Sequence, residues 1–120
     1  MTPKLSKRER ARLEARAKVF KALAHPSRLL VVQELSRGER CVCELTKLVG
    51  SDMSTVSKHL TVLQAAGVED SEKRGSQVYY GLRMPCVLGF FKCVEGALQA
   101  AAKEQMELAT PSRERTGLKR

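Results

Sequence analysis

The chain has no tryptophan, and its 120 residues include only three phenylalanines and two tyrosines. Phe20, Tyr79, Tyr80, Phe90 and Phe91 are too sparse to form a platform on which single-stranded bases stack. No apolar run approaches the length of a membrane span, and the N-terminal MTPKLSKRER lacks the apolar segment of a secretion signal. Both absences point to a cytoplasmic protein with no membrane partner. Histidine is scarce: only His25 and His59 occur, and no nucleophile–base pair stands out, so an enzyme is not expected. Acidic residues are the minority charge, 13 Asp and Glu against 22 Lys and Arg, leaving a net charge of +9. Such an excess favours a polyanionic partner, nucleic acid before anionic membrane. In the cytoplasm the four cysteines are expected to be thiols rather than disulfides, so they need a reason other than stapling the fold.

The apolar pattern is mostly helical. Residues 4 to 23, rich in Ala, Leu, Lys and Arg, predict a first helix. Its apolar positions (Ala11, Leu13, Ala15, Val19, Phe20, Leu23) are scattered, as in a helix gripped on more than one side. Residues 1 to 18 hold seven Lys and Arg against two Glu, a run that is either a solvated face or a reach toward flanking phosphates. A second helix begins at His25-Pro26, with proline at the tolerated first position and His25 where a cap belongs, and stops near Gly38. A short third helix, Val42 to Val49, ends at Gly50.

The stretch SDMSTVSKHLTVLQAAG is the most informative of all. Met53, Val56, Leu60 and Leu63 recur at helical spacing and should face inward, leaving Ser54, Thr55, Ser57, Lys58 and Thr61 outward. Ser51 or Asp52 can cap this helix and Gly67 can end it. Small hydroxyls reach phosphates and base edges without bulk, and Lys58 neutralises backbone charge, so the outer face suits a DNA major groove. Two helices joined by the tight Gly50-Ser51-Asp52 turn make a helix-turn-helix. After Gly67 the period changes. Val78, Tyr80 and Leu82 alternate with Gln77, Tyr79 and Gly81, as in a half-buried strand. A loop at Lys73-Arg74-Gly75-Ser76 would return from a strand near Val68 to Ser71, and this hairpin is a wing. A final helix runs from Pro85 to about Leu108, with Val87, Phe90, Phe91, Val94, Leu98 and Ala101 on one apolar face. No internal repeats occur. Residues 1–109 are expected to form the DNA-binding and dimerisation domain, and 110–120 a polar, disordered tail.

This order of elements resembles the ArsR/SmtB family of winged-helix metalloregulatory repressors, in particular its arsenic and antimony sensors. The resemblance is carried by KALAHPSRLLVVQEL (21–35), CVCELTKLVG (41–50), STVSKHLTVLQAAGV (54–68) and GSQVYYGL (75–82), and covers roughly residues 18 to 105. It implies a mainly α fold with a small β-hairpin, a winged helix-turn-helix that dimerises through its first and last helices. It also implies repression of double-stranded operator DNA, relieved when a metal or metalloid binds. DNA contacts are expected from Ser51, Ser54, Thr55, Ser57, Lys58 and Thr61, and from Lys73, Arg74 and Gln77 of the wing. One departure matters: Glu69, Asp70 and Glu72 precede Lys73 and Arg74, giving the wing weaker phosphate-binding character than the family pattern.

The cysteines are the candidate ligands. Cys41-Val42-Cys43 occupies the place where the arsenic, antimony, cadmium and lead sensors carry the same CVC. Two residues apart on a regular helix lie roughly 200° apart, so both sulfurs meet one ion only if Cys41 lies outside the helix or its first turn distorts. Distortion there would move the helix that positions the reading helix. The arsenic sensors often add a third Cys where this chain has Thr46, and the cadmium sensors add thiolates from an N-terminal segment that here has none. Cys86 follows Pro85 in the first turn of the last helix, and Cys93 lies about 10.5 Å further along the axis. Those two thiols would meet only across antiparallel helices of two protomers, with Gly89 near the crossing. Otherwise they are small core residues. The interface zinc sensors use Asp, His and Glu ligands absent here, and an all-thiolate set favours a soft ion. Arsenite or antimonite is therefore the expected effector, ahead of cadmium or lead, with no organic cofactor. The residues leave open whether Cys41/Cys43 and Cys86/Cys93 form one site or two. They also leave open a thiol-redox-sensing repressor on the same fold, or a constitutive architectural DNA-binding protein with inert cysteines.

Overall fold

Each helix starts and stops where a local signal allows it. In the computed structural model, which describes residues 4–109, helix α1 spans Lys7–Leu23 behind a capping box. Glu9 N–H donates to Ser6 Oγ (3.0 Å) and Ser6 N–H to Glu9 Oε1 (2.9 Å). Helix α2 (Pro26–Leu35) has proline in its first turn and His25 as cap, whose Nδ1 accepts the Ser27 N–H at 3.0 Å. Helix α3 (Val42–Val49) ends at Gly50, whose φ of 79° is a left-handed conformation that suits glycine. Helix α4 (Met53–Ala65) starts at Asp52, whose carboxylate accepts the Thr55 N–H at 3.2 Å. The Thr55 side chain first, and this backbone bond second, hold the Asp52 pKa below the usual carboxylate range.

The sheet has three strands rather than the two of a hairpin. Strand β1 (Arg40–Cys41) pairs antiparallel with β3 (Gln77–Leu82), which pairs antiparallel with β2 (Glu69–Arg74), giving the order β1-β3-β2. Across the first pair Cys41 faces Tyr79, and across the second Arg74 faces Gln77. A two-residue strand is too short to show alternation in sequence, which is why β1 escapes a sequence reading. Lys73 and Arg74 belong to β2, not to the loop expected there. The turn is only Gly75-Ser76, with Gly75 at φ 65°. Strand β3 is half-buried along its whole length instead of alternating, because it lies between two strands and packs on α2 and α3.

Val31, Val32 and Leu35 of α2, Leu45 of α3, and Val56, Leu60 and Leu63 of α4 form the core with Ala22, Leu23 and Val68. Met53, expected on this inward stripe, is 49% exposed; it is the first residue after the Asp52 cap, at the end of the stripe. In the single chain helix α1 is buried only at Ala22 and Leu23, and it packs against α2 and α4. The chain divides into two compact units between Pro85 and Cys86. The second contains helix α5 (Val87–Ala109). Pro85 and Cys86 form a turn before it, so Cys86 is not in its first helical turn. Within the single chain Phe90, Val94 and Leu98 of α5 are exposed. Among the described residues no helix is long and apolar enough to cross a membrane. The expected tail, 110–120, lies outside the described residues.

Glu69 is the anomaly of this core. It was expected on the wing surface, yet it is 1% exposed and neither carboxylate oxygen has a hydrogen-bond partner. Burial first, and the Asp70 charge second, push its pKa up to about 8. With a folded pKa above the unfolded one, the native state holds the extra proton. Stability should therefore be greatest below the ordinary carboxylate pKa and fall as pH rises toward about 8. Glu69→Gln should remove this dependence, which reaches up to about 1.4 kcal/mol per pH unit in that window. Urea unfolding at pH 5.5 and pH 8.5 measures it; parallel losses in wild type and variant would rule out a buried carboxylate as the cause.

Candidate nucleic-acid interface

Helix α4 is held by one face and offers the other. Val56, Leu60 and Leu63 are fully buried, while Ser54, Thr55, Ser57, Lys58 and Thr61 are all exposed, as the spacing predicts. Ser51 is exposed in the turn that leads to the Asp52 cap. Not every hydroxyl on this face is free to donate: Thr61 Oγ1 already donates to the Ser57 carbonyl at 2.9 Å. Ser54, Thr55, Ser57 and Lys58 lie in the first turns of this exposed face, with Thr55 engaged to the Asp52 carboxylate. His59 does not belong to it. Its ring lies 4.4 Å from that of His25, and Arg28 Nη1 comes within 3.4 Å of its Nδ1. Burial, with His25 and Arg28 adding to it, lowers the His59 pKa and favours the neutral ring. Arg28 also donates to the Ala22 carbonyl at 2.7 Å, tying α2 to the end of α1.

The wing carries a single exposed lysine, Lys73, and an arginine that is already engaged. Arg74 reaches Glu39 with Nη1 at 2.9 Å from Oε1 and Nη2 at 3.0 Å from Oε2, a two-pronged contact. Its Nη2 also donates to Glu72 at 2.8 Å, and its guanidinium lies 4.9 Å from the centre of the Tyr79 ring. The two carboxylates raise the Arg74 pKa further above its ordinary value. Gln77, directly across from Arg74, lies 3.8 Å through Oε1 from Cys43 Sγ. Glu39 is a site residue that sequence reasoning missed. It lies 35 residues from Arg74 and no local pattern links them; its only signal is its place just before the CVC.

The cysteines separate by environment. Cys41 is buried and lies outside α3, as its cap and the last residue of β1, which removes the conflict of azimuth on a regular helix. Its N–H donates to Glu44 Oε1 at 2.9 Å, a bond that lowers the Glu44 pKa. Cys43, Cys86 and Cys93 are exposed, so the last two are not core residues of the single chain. Thr46 donates to the Val42 carbonyl at 2.7 Å. Among the described residues no three His, Cys, Asp or Glu side chains gather to hold a metal ion. Within one chain, two thiols are what the CVC offers.

Ser57→Ala and Lys58→Ala should each weaken DNA binding more than Lys73→Ala or Arg74→Ala, since base contacts are typically worth about 1–3 kcal/mol. Arg74 must also leave two carboxylates before it meets a phosphate. Anisotropy titrations with a labelled duplex read the ranking, and larger losses from the wing pair would refute this division of labour.

Residues 25–68 match the family model described as bacterial regulatory protein, arsR family. The HTH-type transcriptional repressor SmtB of Mycobacterium tuberculosis is 40% identical over 70 residues, 58% of this chain and 52% of that protein. The arsenical resistance operon repressor of Bacillus subtilis is 42% identical over 64 residues, 52% of this chain and 61% of the repressor. An uncharacterized HTH-type transcriptional regulator of Methanocaldococcus jannaschii is 34% identical over 68 residues, 56% of this chain and 76% of that protein. The chain thus spans about half the length of the SmtB repressor. A homodimeric winged helix-turn-helix DNA-binding domain from Mycobacterium bovis, from a possible ArsR-family regulator, superposes with a TM-score of 0.68 at 29% identity. That match covers 93% of this chain and all of the other.

Proposed function

This chain belongs to the ArsR family of bacterial regulatory proteins, and on that premise we propose that it is a cytoplasmic, homodimeric repressor of operator DNA. It releases the operator when trivalent arsenic or antimony binds cysteine thiolates. The observation that carries the DNA half is the outward face of α4, with small hydroxyls and Lys58 on a helix capped by Asp52 and buried along Val56, Leu60 and Leu63. The dimer half draws on exposed Leu13 and Phe20 of α1 and Phe90, Val94 and Leu98 of α5, large apolar side chains that association would cover. A neighbour of this fold is described as homodimeric, and one relative is named an arsenical resistance repressor.

The effector half draws on Cys41 and Cys43. Each thiol displaces one hydroxyl of arsenous acid, forming an As–S bond and releasing a water, so two thiols leave one As–OH. Because Cys41 lies outside α3, the azimuth of a regular helix does not set its sulfur opposite that of Cys43. Soft thiolates favour arsenic and antimony over the harder ions that carboxylates and imidazoles hold.

A symmetric dimer should protect an imperfect palindrome with half-sites about one helical turn apart. Affinity should fall steeply with salt as Lys and Arg release condensed counterions. A monomer in sedimentation at micromolar concentration, or a footprint over one half-site, contradicts this geometry.

Cys41→Ser and Cys43→Ser should bind DNA normally and lose most of their release by arsenite under strictly reducing conditions. Effector–DNA coupling of order 1–3 kcal/mol is typical, so the loss is visible as roughly a 5- to 150-fold change. Full release in both variants, together with its loss in Cys86→Ser or Cys93→Ser, would move the site to the α5 thiols. Release by oxidant alone would favour a redox switch instead.

A further inference from the structure

The residues flanking the cysteines reach the wing tip from both sides. Arg74 and Gln77 face each other across the last pair of the β2–β3 hairpin, next to the Gly75-Ser76 turn. Arg74 is held by Glu39 and Gln77 is touched by Cys43, and Cys41 lies between those two in the chain. The same segment is fixed to the sheet by β1, where Arg40 faces Tyr80 and Cys41 faces Tyr79. It is also fixed to α2 by the Arg40–Glu34 ion pair at 3.0 Å. A shift of Cys41 or Cys43 therefore has a direct mechanical route to both side chains at the wing tip.

We propose that Glu39 is a positioning residue for DNA binding: it clamps Arg74 against the sheet and withholds its charge from phosphate, and thiol occupancy at Cys41/Cys43 tightens this clamp. The second half rests on the arsenic-sensing reading above; the first does not. Of the two carboxylates on Arg74, Glu39 makes the two-pronged contact and sits immediately before β1, so it is the one that reports on that strand. Glu72 is two residues away on the strand Arg74 itself occupies, and moves with it. When Arg74 swings to DNA it exchanges two carboxylates for one phosphate, and the exchange costs affinity that Glu39 sets. Binding of an ion by both thiols draws the ends of the Cys41–Cys43 segment together, with Glu39 and the Gln77 contact attached to it. The reading surface of α4 need not change at all.

The test uses the full chain and a duplex recovered by the wild-type protein from a randomised pool. Glu39→Gln should bind it about 2- to 5-fold more tightly at low salt, the range of an exposed ion pair. The slope of log affinity against log salt should also steepen by about one per protomer, as one more phosphate is neutralised. Both gains should vanish when Glu39→Gln is made in an Arg74→Ala background. Asp70→Asn carries the same charge change on the same strand face and should leave the slope unchanged. Glu39→Gln should still take up arsenite with wild-type stoichiometry, read by loss of titratable thiols, while its DNA is released less completely. The clamp is overturned if Glu39→Gln and Asp70→Asn behave alike, or if the gain persists without Arg74. The relay to the thiols is overturned if arsenite releases Glu39→Gln as fully as wild type. A wild type that ignores arsenite would instead overturn the proposed effector, and the Glu39–Arg74 cycle would still be decided by its salt slopes.

Discussion

Val56, Leu60 and Leu63 recur turn by turn along α4 and are fully buried, and the outward placement of the polar groups on that helix follows from this seat. Each such side chain is worth about 1.5–3 kcal/mol when removed from water, enough to fix the rotation of a short helix. With the rotation fixed, Ser54, Ser57 and Lys58 can only point outward. Asp52 and Gly50 then fix where the helix begins, one by satisfying an end N–H and the other by allowing the sharp left-handed exit from α3. Leu45 packs α3 into the same core, so the turn between the two helices is held at both ends. The polar outer face of α4 is thus a by-product of apolar packing, and the proposed effector chemistry could act around it without rebuilding it.

What was legible in the sequence shares one property: it is local. Pro26, the glycines and Asp52 fix helix ends within a few residues of themselves, so α2, α3 and α4 lie where their neighbours in sequence say. The apolar period of α4 correctly assigns its two faces, failing only at Met53, where the helix has just begun. What was not legible depends on pairing at a distance. Strand β1 is two residues long and exists because β3 passes beside it. Glu69 lies in EDSEKR, which reads as a fully solvated strand, and only its place after Val68 at the root of the wing buries it. Glu39 and Arg74 find each other only after the sheet has formed. The CVC was conspicuous as chemistry, but its attachment to the wing was invisible until Cys41 was placed opposite Tyr79.

The charge distribution turns this placement into function. The chain carries a net +9, yet Asp70 and Glu72 on the wing, and Glu39 brought to it by Arg74, concentrate acidity there. If the proposed release from DNA operates, local charges that compete with phosphate for the same cation would assist it. On the proposed clamp, long-range attraction from α1 and the rest of the chain would bring the polyanion near, while contact at the wing would be decided by which anion Arg74 prefers. Exposed ion pairs are weak individually, and here that weakness is useful. A clamp worth many kcal/mol would never open for DNA, whereas one worth a fraction of the total binding energy can be tipped by one bound ion.

The two cysteine pairs differ in what they could move. Cys41 is buried where β1 meets α3, both in the unit that contains the helix-turn-helix, so a ligand there would act within that unit. Cys86 and Cys93 belong with α5, on the other side of the division at Pro85. A ligand held by those thiols would act on association between protomers, changing the spacing of two reading helices rather than the state of one wing. The first mechanism changes the number of phosphates neutralised per protomer. The second changes whether both half-sites are met at once. Salt dependence responds to the first and half-site spacing to the second, so the two arrangements of thiols leave different physical signatures on the same DNA.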